Sequence, residues 1–382
     1  MALKVSRRGM VPPFIVMDVM RAAAEKEMAG GDVLHLEVGQ PSTAAPARVI
    51  EAAKQALDAE KIGYTLALGL EPLRERIARY YKDYYSVDLA PARVVVTTGS
   101  SSGFLLAFLS AFEAGDRVGV CSPGYPAYRN ILKALGLVPV DIPVTALTDF
   151  HPRPETIDAL SDPLDGLLVA SPSNPTGSML SAAELKQLCS FCRERGIRFI
   201  SDEIYHGITF GEKAHTALDY DDDVIVINSF SKYFSMTGWR LGWMVVPENL
   251  LRSVECLAQN MFISPPTLSQ FAGVAAFDCI EELDANVARY ARNREVLLNE
   301  LPKAGFDKLA PADGAFYLYA DVGRMTNDSQ DFCQRMLAET GVATTPGIDF
   351  DPEQGHRFMR FSFAGATQDM EDAAKRLIAW KP

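Results

Sequence analysis

The sequence contains no apolar run long enough to cross a membrane. The longest, FLLAFLSAF from Phe104 to Phe112, is far shorter than the roughly 20 residues that a spanning helix needs. The N-terminal stretch MALKVSRRGMVPPFIVMDVM has basic residues but lacks the apolar segment and small-residue cleavage site of a signal peptide. We therefore expect no membrane partner, no signal peptide and a cytoplasmic location.

The chain also lacks an excess of basic residues. It has 37 Lys and Arg against 49 Asp and Glu, and its formal net charge is −12. A surface with this balance repels polyanions, so we expect no nucleic-acid partner and no attraction to an anionic membrane surface.

Cysteine and histidine are few and scattered. Cys189 and Cys192 form a CxxC, but no second pair follows at zinc spacing, and the five histidines show no ligand spacing. The pair lies in SAAELKQLCSFCRERG, where Ser181 and Glu184 form a capping box and Gly196 is a helix stop. Cys189 and Cys192 share one helix face with two leucines. This pattern predicts a buried apolar face, and we expect no metal.

Seven short β-branched segments alternate with segments of helical periodicity. This alternation predicts an α/β fold, with a mostly parallel seven-stranded sheet covered by helices on both faces. The predicted strands are 93–98, 116–123, 137–144, 166–172, 197–203, 223–231 and 242–247.

The pattern changes near residue 280, where a long polar helix leads into a few strands and two further helices. A chain of 382 residues, 48% of them hydrophobic, is long enough for two cores. We predict a large domain over 48–285 and a smaller α+β domain built from 1–47 and 286–382.

Polar side chains follow five of the predicted strands, at the ends where open α/β sheets bind ligands. Each has an ordinary explanation as a turn, a helix cap or a solvated lysine, but five such coincidences together favour one ligand site. Gly99 to Gly103, GSSSG, opens a helix and could hold an anion, although it is neither GxxxxGK[ST] nor GxGxxG. The other strand ends carry Tyr125, Asn174, Asp202 with Tyr205, and Ser229, Ser231 and Lys232.

Three of these segments together resemble a known family. SPSNPTG, SDEIY and SFSKYFSMTGWRLGW are similar to the motifs of class I/II aminotransferases, pyridoxal 5′-phosphate (PLP) enzymes of fold type I, near the aspartate aminotransferase branch. The resemblance covers nearly the whole chain. It implies transfer of an α-amino group from an amino acid to a 2-oxo acid by a ping-pong mechanism.

The resemblance also implies three catalytic residues. Lys232 would form the Schiff base with PLP and then act as general base, which suits a lysine desolvated by small and aromatic neighbours. Asp202 would keep the pyridine nitrogen protonated, so that the ring is a better electron sink. Tyr205 would hydrogen-bond the ring oxygen, together with Asn174, and Tyr125 would stack on the ring.

The remaining implied contacts serve the phosphate, the substrate and a second subunit. Arg360 in RFMRFSFA would clamp the substrate α-carboxylate, with Asn174 and the backbone of Gly39. Tyr64 in KIGYTLALG would reach the phosphate of the neighbouring subunit, which implies a homodimer. The phosphate would be held by Ser100, Ser101, Ser229, Ser231 and Arg240.

The sequence leaves the substrate open. Several aminotransferases share these motifs, and the same fold carries β-lyases (C–S lyases), which remain the alternative. A non-catalytic PLP-sensing regulator is disfavoured, because such proteins carry a DNA-binding domain ahead of the PLP domain, whereas here the match begins within the first forty residues.

Overall fold

A computed structural model describes residues 3–381 of the chain, which forms twelve α-helices and twelve strands over that range, with short 3₁₀ turns between them. The helices are α1 Ile15–Met28, α2 Ala47–Ala59, α3 Glu71–Tyr85, α4 Gly99–Ala111, α5 Pro126–Leu135, α6 Pro154–Asp158, α7 Ala182–Arg195, α8 Glu248–Met261, α9 Thr267–Ala276, α10 Ile280–Glu300, α11 Ser329–Thr340 and α12 Thr367–Ala379. The strands are β1 Leu34–His35, β2 Val94–Thr97, β3 Arg117–Ser122, β4 Val138–Pro143, β5 Gly166–Ala170, β6 Arg198–Asp202, β7 Ile225–Ser229, β8 Gly242–Val245, β9 Tyr317–Asp321, β10 Val342–Ala343, β11 Thr345–Pro346 and β12 Phe358–Ser362.

The largest sheet has seven strands in the order β2-β8-β7-β6-β5-β3-β4. β8 runs antiparallel to β2 and β7 on either side of it, and the other neighbouring pairs in this sheet are parallel. The predicted α/β class with a mostly parallel seven-stranded sheet is confirmed. Parallel strands direct their carboxyl ends to one edge, so the loops after β3, β5, β6 and β7 open on the same side.

The inner strands of this sheet are buried on both faces, whereas the edge strand β4 is largely exposed. On β7, Val226 packs into one apolar cluster, whereas Ile225 and Ile227 pack into another. This alternation follows from the two-residue period of a strand, and it requires helices on each side. Across residues 3–381, no helix is both long and apolar enough to span a membrane.

Helix α7 begins and ends where its sequence predicts. Ser181 Oγ accepts a hydrogen bond from the backbone of Glu184, and the Glu184 side chain binds back to the Ser181 backbone, which is a capping box. Gly196 ends the helix with φ of 68°. Cys189 and Cys192 are both buried, which confirms the predicted apolar face.

The rest of the chain forms two smaller sheets. One is the antiparallel sheet β11-β12-β9, and the other is a parallel pair of β1 with β10, which joins the N-terminal segment to the C-terminal region. The predicted domain division at 47/48 and 285/286 stays a prediction. Its second boundary lies inside α10, and residues 1, 2 and 382 lie outside the described residues.

Candidate active site

The strand ends surround a cavity of about 210 Å³. All of the predicted site residues except Ser229 and Tyr64 line it. They are Gly39, Ser100, Ser101, Tyr125, Asn174, Asp202, Tyr205, Ser231, Lys232, Arg240 and Arg360. The roles assigned to them remain predictions, but the fold brings these residues to one place.

Lys232 follows β7 and is half-buried, with its side chain lining the cavity. Its Nζ donates a hydrogen bond to the backbone oxygen of Gly39 at 2.5 Å. Burial lowers the pKa of Lys232 to about 8, the positive charges of Arg360 and Arg240 act in the same direction, and Asp202 opposes them. About a tenth of the amine is therefore neutral, and nucleophilic, at pH 7.

Asp202 is the last residue of β6 and is 3% exposed. One carboxylate oxygen accepts a hydrogen bond from the backbone N–H of Ile204 at 3.0 Å, and the other accepts one from the phenol of Tyr128. Burial raises the pKa of Asp202 to about 6, although both hydrogen bonds and Lys232 favour the charged form. A protonated ring nitrogen beside this carboxylate would offset its desolvation, so the site fits a pyridinium.

The N-terminus of α4 also borders the cavity. Gly99 has φ of +71°, and a Cβ built there would lie 2.5 Å from an Arg240 guanidinium nitrogen. Glycine is thus needed for both the backbone conformation and the approach of the arginine. Ser100 and Ser101 occupy the first turn of α4. Helix N–H groups, hydroxyls and a guanidinium together suit a phosphate dianion.

Of the two serines that follow or end β7, only Ser231 lines the cavity, and Ser229 lies behind it. Ser231 lines the cavity, whereas Ser229 is 1% exposed and donates its hydroxyl hydrogen to Ser231 Oγ at 2.9 Å. The Ser229 oxygen also accepts the Ser231 backbone N–H at 3.1 Å. In this arrangement Ser229 holds Ser231 in place from behind.

Arg360 lies on β12 and is 3% exposed. Its guanidinium packs between the rings of Tyr317, at 4.3 Å, and Phe350, at 4.7 Å. Its nitrogens donate to Asn174 Oδ1 at 2.8 Å and to the Glu37 backbone oxygen at 2.5 Å. Its Nε is buried without a partner among the described residues. A planar guanidinium held in this way, with a free donor, suits a carboxylate.

Two tyrosines of the site were missed by the sequence analysis. Tyr128 donates to Asp202, and Tyr317 shares a 2.7 Å hydrogen bond with the hydroxyl of Tyr205. Burial raises the pKa of both phenols, which therefore stay protonated. Neither lies in a motif. Tyr128 is the third residue of α5 and the last residue of the segment SPGYPAY. Its closeness to Tyr125 in that segment is the only indication in the sequence that it belongs to the site.

An apolar wall was missed as well. Its members are Phe14, Val16, Met17, Met20 and Val38. Four of them precede or belong to α1. Phe14 contacts the ring of Tyr125 edge-on, with centroids 5.7 Å apart. The apolar run in MVPPFIVMDVM was available in the sequence, but nothing in it indicates that this helix reaches the sheet edge.

Tyr64 lies outside the cavity of its own chain. Its side chain is 82% exposed, and the nearby Leu66 is 75% exposed. The loop is tied to the start of α9 by a hydrogen bond from Thr267 Oγ1 to the Gly63 oxygen at 2.5 Å. The predicted contact with a neighbouring subunit stays a prediction.

Comparison with known proteins identifies the family. Residues 31–377 match the family described as aminotransferase class I and II. The chain is 50% identical to the valine–pyruvate aminotransferase of Mycobacterium tuberculosis over 99% of both chains. A crystal structure of a putative aminotransferase from Silicibacter pomeroyi superposes with a TM-score of 0.94, at 55% identity and 99% coverage of both chains. The Thermus thermophilus aspartate aminotransferase with maleate gives 0.92, at 29% identity, over 99% of this chain and all of the other.

These relatives are all aminotransferases by name, so the β-lyase alternative is not favoured. The family match covers most of the chain. The fold and the polar residues at the ends of the parallel strands are consistent with the same family. The chain belongs to the class I and II aminotransferases, a PLP-dependent family, and is a transaminase.

Proposed function

We propose that this transaminase binds PLP in the cavity and transfers the amino group of a neutral aliphatic α-amino acid, such as valine, to a small 2-oxo acid such as pyruvate. The relative named valine–pyruvate aminotransferase agrees with this substrate class. The observation that supports this substrate class most directly is the apolar wall, which lines the same cavity as the Arg360 guanidinium.

The charges of the cavity support a neutral side chain. Within the described part of the chain, three cationic side chains line the cavity, namely Lys232, Arg240 and Arg360. Each already has a role, since Arg240 lies at the phosphate end, Arg360 suits the α-carboxylate, and Lys232 is the reactive amine. The chain's own residues therefore supply no fourth cation for an acidic side chain, whose burial without a partner is costly.

PLP, when bound, supplies an aldehyde that links to amines and a ring that accepts the electrons of the substrate's Cα–H bond. Asp202 would hold the ring nitrogen protonated, with its carboxylate oriented by Tyr128 and the backbone of Ile204. Tyr205 and Asn174 would donate to the ring oxygen, and Tyr125 would cover one face. The cup of Ser100, Ser101, Ser231 and Arg240 would bind the phosphate.

Proton transfer falls to Lys232. With a pKa lowered to about 8, its amine can accept the proton from the substrate Cα and return it near neutral pH. The hydrogen bond from Nζ to the Gly39 oxygen keeps the amine in the cavity beside the carboxylate site. Arg360, fixed by Asn174 and Glu37, orients the Cα–H bond toward it.

A homodimer would complete the site. The exposed loop with Tyr64 and Leu66 is an apolar surface of the kind that marks an interface. A groove of about 660 Å³ lies beside the active cavity and shares Arg240 with it. Its other walls include Pro41 and Trp239. We propose that a second copy of the chain fills this groove and places its Tyr64 against the phosphate.

A half-reaction panel tests the substrate class. Valine or alanine should convert the PLP form to the pyridoxamine form far more efficiently than aspartate, and pyruvate should reverse the change. Met20→Lys, which adds a cation to the wall, should raise efficiency with aspartate. Met28→Lys is the matched control, since Met28 ends the same helix and is 81% exposed. A wild-type preference for aspartate would refute the proposal.

A further inference from the structure

Helix α1, which carries most of the apolar wall, does not cap its own N-terminus. The N-cap position is Phe14, whose side chain accepts no hydrogen bond. The first N–H groups of a helix need acceptors, and polar caps such as Asp or Ser usually supply them. The first turn of α1 contributes Val16 and Met17 to the cavity. The position of this turn therefore determines the position of the apolar wall.

The acceptors come from Asp349, more than 300 residues away in the sequence. One of its carboxylate oxygens accepts the N–H of Ile15 at 3.0 Å, and the other accepts the N–H of Val16 at 3.4 Å. Asp349 is 6% exposed. A carboxylate also interacts favourably with the positive end of the helix dipole. Burial raises the pKa of Asp349, Asp18 adds to that effect, and the two N–H groups and Arg360 oppose it.

The segment that carries Asp349 also fixes the carboxylate clamp. Asp349 ends a 3₁₀ turn that follows β11, and Thr345 on β11 accepts a hydrogen bond from the Arg360 guanidinium at 3.2 Å. Phe350, which directly follows Asp349, packs its ring against the Arg360 guanidinium. One short stretch, 345–350, therefore holds both the arginine and the start of the apolar wall.

We propose that Asp349 is a positioning residue for substrate selection, because it sets the distance between the Arg360 guanidinium and the wall formed by Phe14, Val16 and Met17. This inference rests on the proposed function for its substrate class. A substrate whose α-carboxylate is bound by Arg360 would direct its side chain toward the wall, which lies at a fixed distance from the guanidinium on this proposal. A branched side chain would then reach the wall, whereas a methyl group would fall short of it.

The chain offers a matched control in Asp351. Asp351 is also 6% exposed, and it accepts two backbone N–H groups, from Glu353 at 2.9 Å and Gln354 at 3.0 Å. These belong to a surface turn and not to α1. Asp349→Ala and Asp351→Ala thus remove comparable hydrogen bonds from the same loop. Only Asp349→Ala removes the acceptors that hold the start of α1, and with it the apolar wall.

The experiment compares these variants on valine and alanine. Asp349→Ala should raise KM for valine roughly five- to tenfold, the scale of one lost helix cap, with kcat and the alanine reaction little changed. Asp349→Asn, which keeps an acceptor, should recover most of the loss, and Asp351→Ala should leave the valine-to-alanine ratio unchanged. Amide exchange of the peptide covering Ile15–Met20 should be faster in Asp349→Ala only.

Binding of non-reactive acids separates this inference from the proposed function. Wild-type holoenzyme should bind 3-methylbutanoate more tightly than propanoate, and Asp349→Ala should reduce that ratio. If valine proves not to be turned over, the proposed function fails but the ratio still tests Asp349. An unchanged ratio in Asp349→Ala, or an equal loss in Asp351→Ala, would overturn the inference. Should Asp349→Ala not fold, the same comparison is made with Asp349→Ser, whose shorter side chain cannot reach both N–H groups and should therefore give an intermediate loss.

Discussion

Asn174 and Arg360 meet across the two main sheets of the protein. Asn174 follows β5 of the seven-stranded sheet, Arg360 lies on β12 of the three-stranded sheet, and the amide oxygen of Asn174 accepts a 2.8 Å hydrogen bond from the guanidinium. Asn174 is also the residue proposed to contact the cofactor ring. The orientation of Arg360, the proposed carboxylate clamp, is thereby tied to the residue proposed to contact the cofactor.

The lowered pKa of Lys232 predicts the pH dependence of cofactor capture. In the apoenzyme the amine is protonated below its pKa of about 8. The rate of PLP capture should therefore rise about tenfold per pH unit below that value and level off above it. Stopped-flow absorbance measures this rate. Borohydride should then fix the label on Lys232, and a label on another residue would contradict the assignment.

Asp202→Ala should lower kcat at least about a hundredfold, the scale of losing one preorganised electrostatic partner, while PLP still binds through its phosphate. Glu203→Gln is the matched control. Glu203 is the adjacent buried carboxylate, but it accepts hydrogen bonds from Thr216 and Ala217 away from the cavity, and a glutamine can accept the same bonds. Near-normal turnover in Asp202→Ala would refute its role.

Arg360→Lys should raise KM for amino acids and 2-oxo acids alike, because both carry the carboxylate and lysine cannot provide a planar pair of donors. Simple amines should be little affected. Arg357→Lys serves as control, since Arg357 pairs with Asp321 and does not line the cavity. If KM rose only for amino acids or only for 2-oxo acids, Arg360 would recognise the substrate side chain and not the shared carboxylate.

The proposed composite site predicts recovery of activity in mixed dimers. If Tyr64 serves the partner's site, Lys232→Ala and Tyr64→Ala homodimers should each be impaired at both sites. A mixed dimer has one site with both defects and one intact site, so mixing under subunit exchange should give more activity than the two parents together. Tyr64→Ala alone must first show a severe defect. If exchange is verified by mass and no recovery follows, Tyr64 acts within its own subunit or in folding.

His35 predicts a pH-dependent contribution to stability. Its ring nitrogens contact Glu37 at 2.8 Å and Glu27 at 3.1 Å. The hydrogen bond to Glu37 raises the pKa of His35 from 6.5 to about 9, and Glu27 adds to this, against partial burial. A raised folded-state pKa means that the stabilisation is complete below pH 6.5 and is lost as pH rises through about 9.

Thermal unfolding at several pH values tests this contribution. The difference in Tm between wild type and His35→Gln should be largest near pH 6 and should shrink by pH 10. His356→Gln is the control, since His356 contacts the backbone oxygen of Glu353. A difference that does not change with pH would mean that the charge on His35 is not involved.

The sequence predicted the central sheet closely because strands buried on both faces are nearly continuous apolar runs. The predicted strand 197–203 corresponds to β6, Arg198–Asp202, and 242–247 corresponds to β8, Gly242–Val245. The polar residues after these strands were predictable too, since parallel strands must bring their carboxyl ends together.

The parts that could not be predicted depend on contacts between distant segments. Nothing near Phe14 indicates that its helix borders the sheet edge, because Asp349, far along the chain, fixes its position. Tyr128 looks like a core residue of an amphipathic helix until β6 is placed beside it. The position of Ser229 behind Ser231 depends on side-chain geometry that a strand pattern does not specify.

The antiparallel orientation of β8 has a consequence for how the site can vary during evolution. Ser229 pairs with Gly242, and the Phe230 N–H donates to the Leu241 oxygen at 3.1 Å, so residues 230–241 form one excursion closed at its base. Lys232 and Arg240 both lie on it. An insertion or deletion there would displace Lys232 and Arg240, the proposed reactive amine and the proposed phosphate-binding arginine, together. Lineages should therefore conserve the length of this excursion, while the separate loop and helix that face the substrate remain free to diverge.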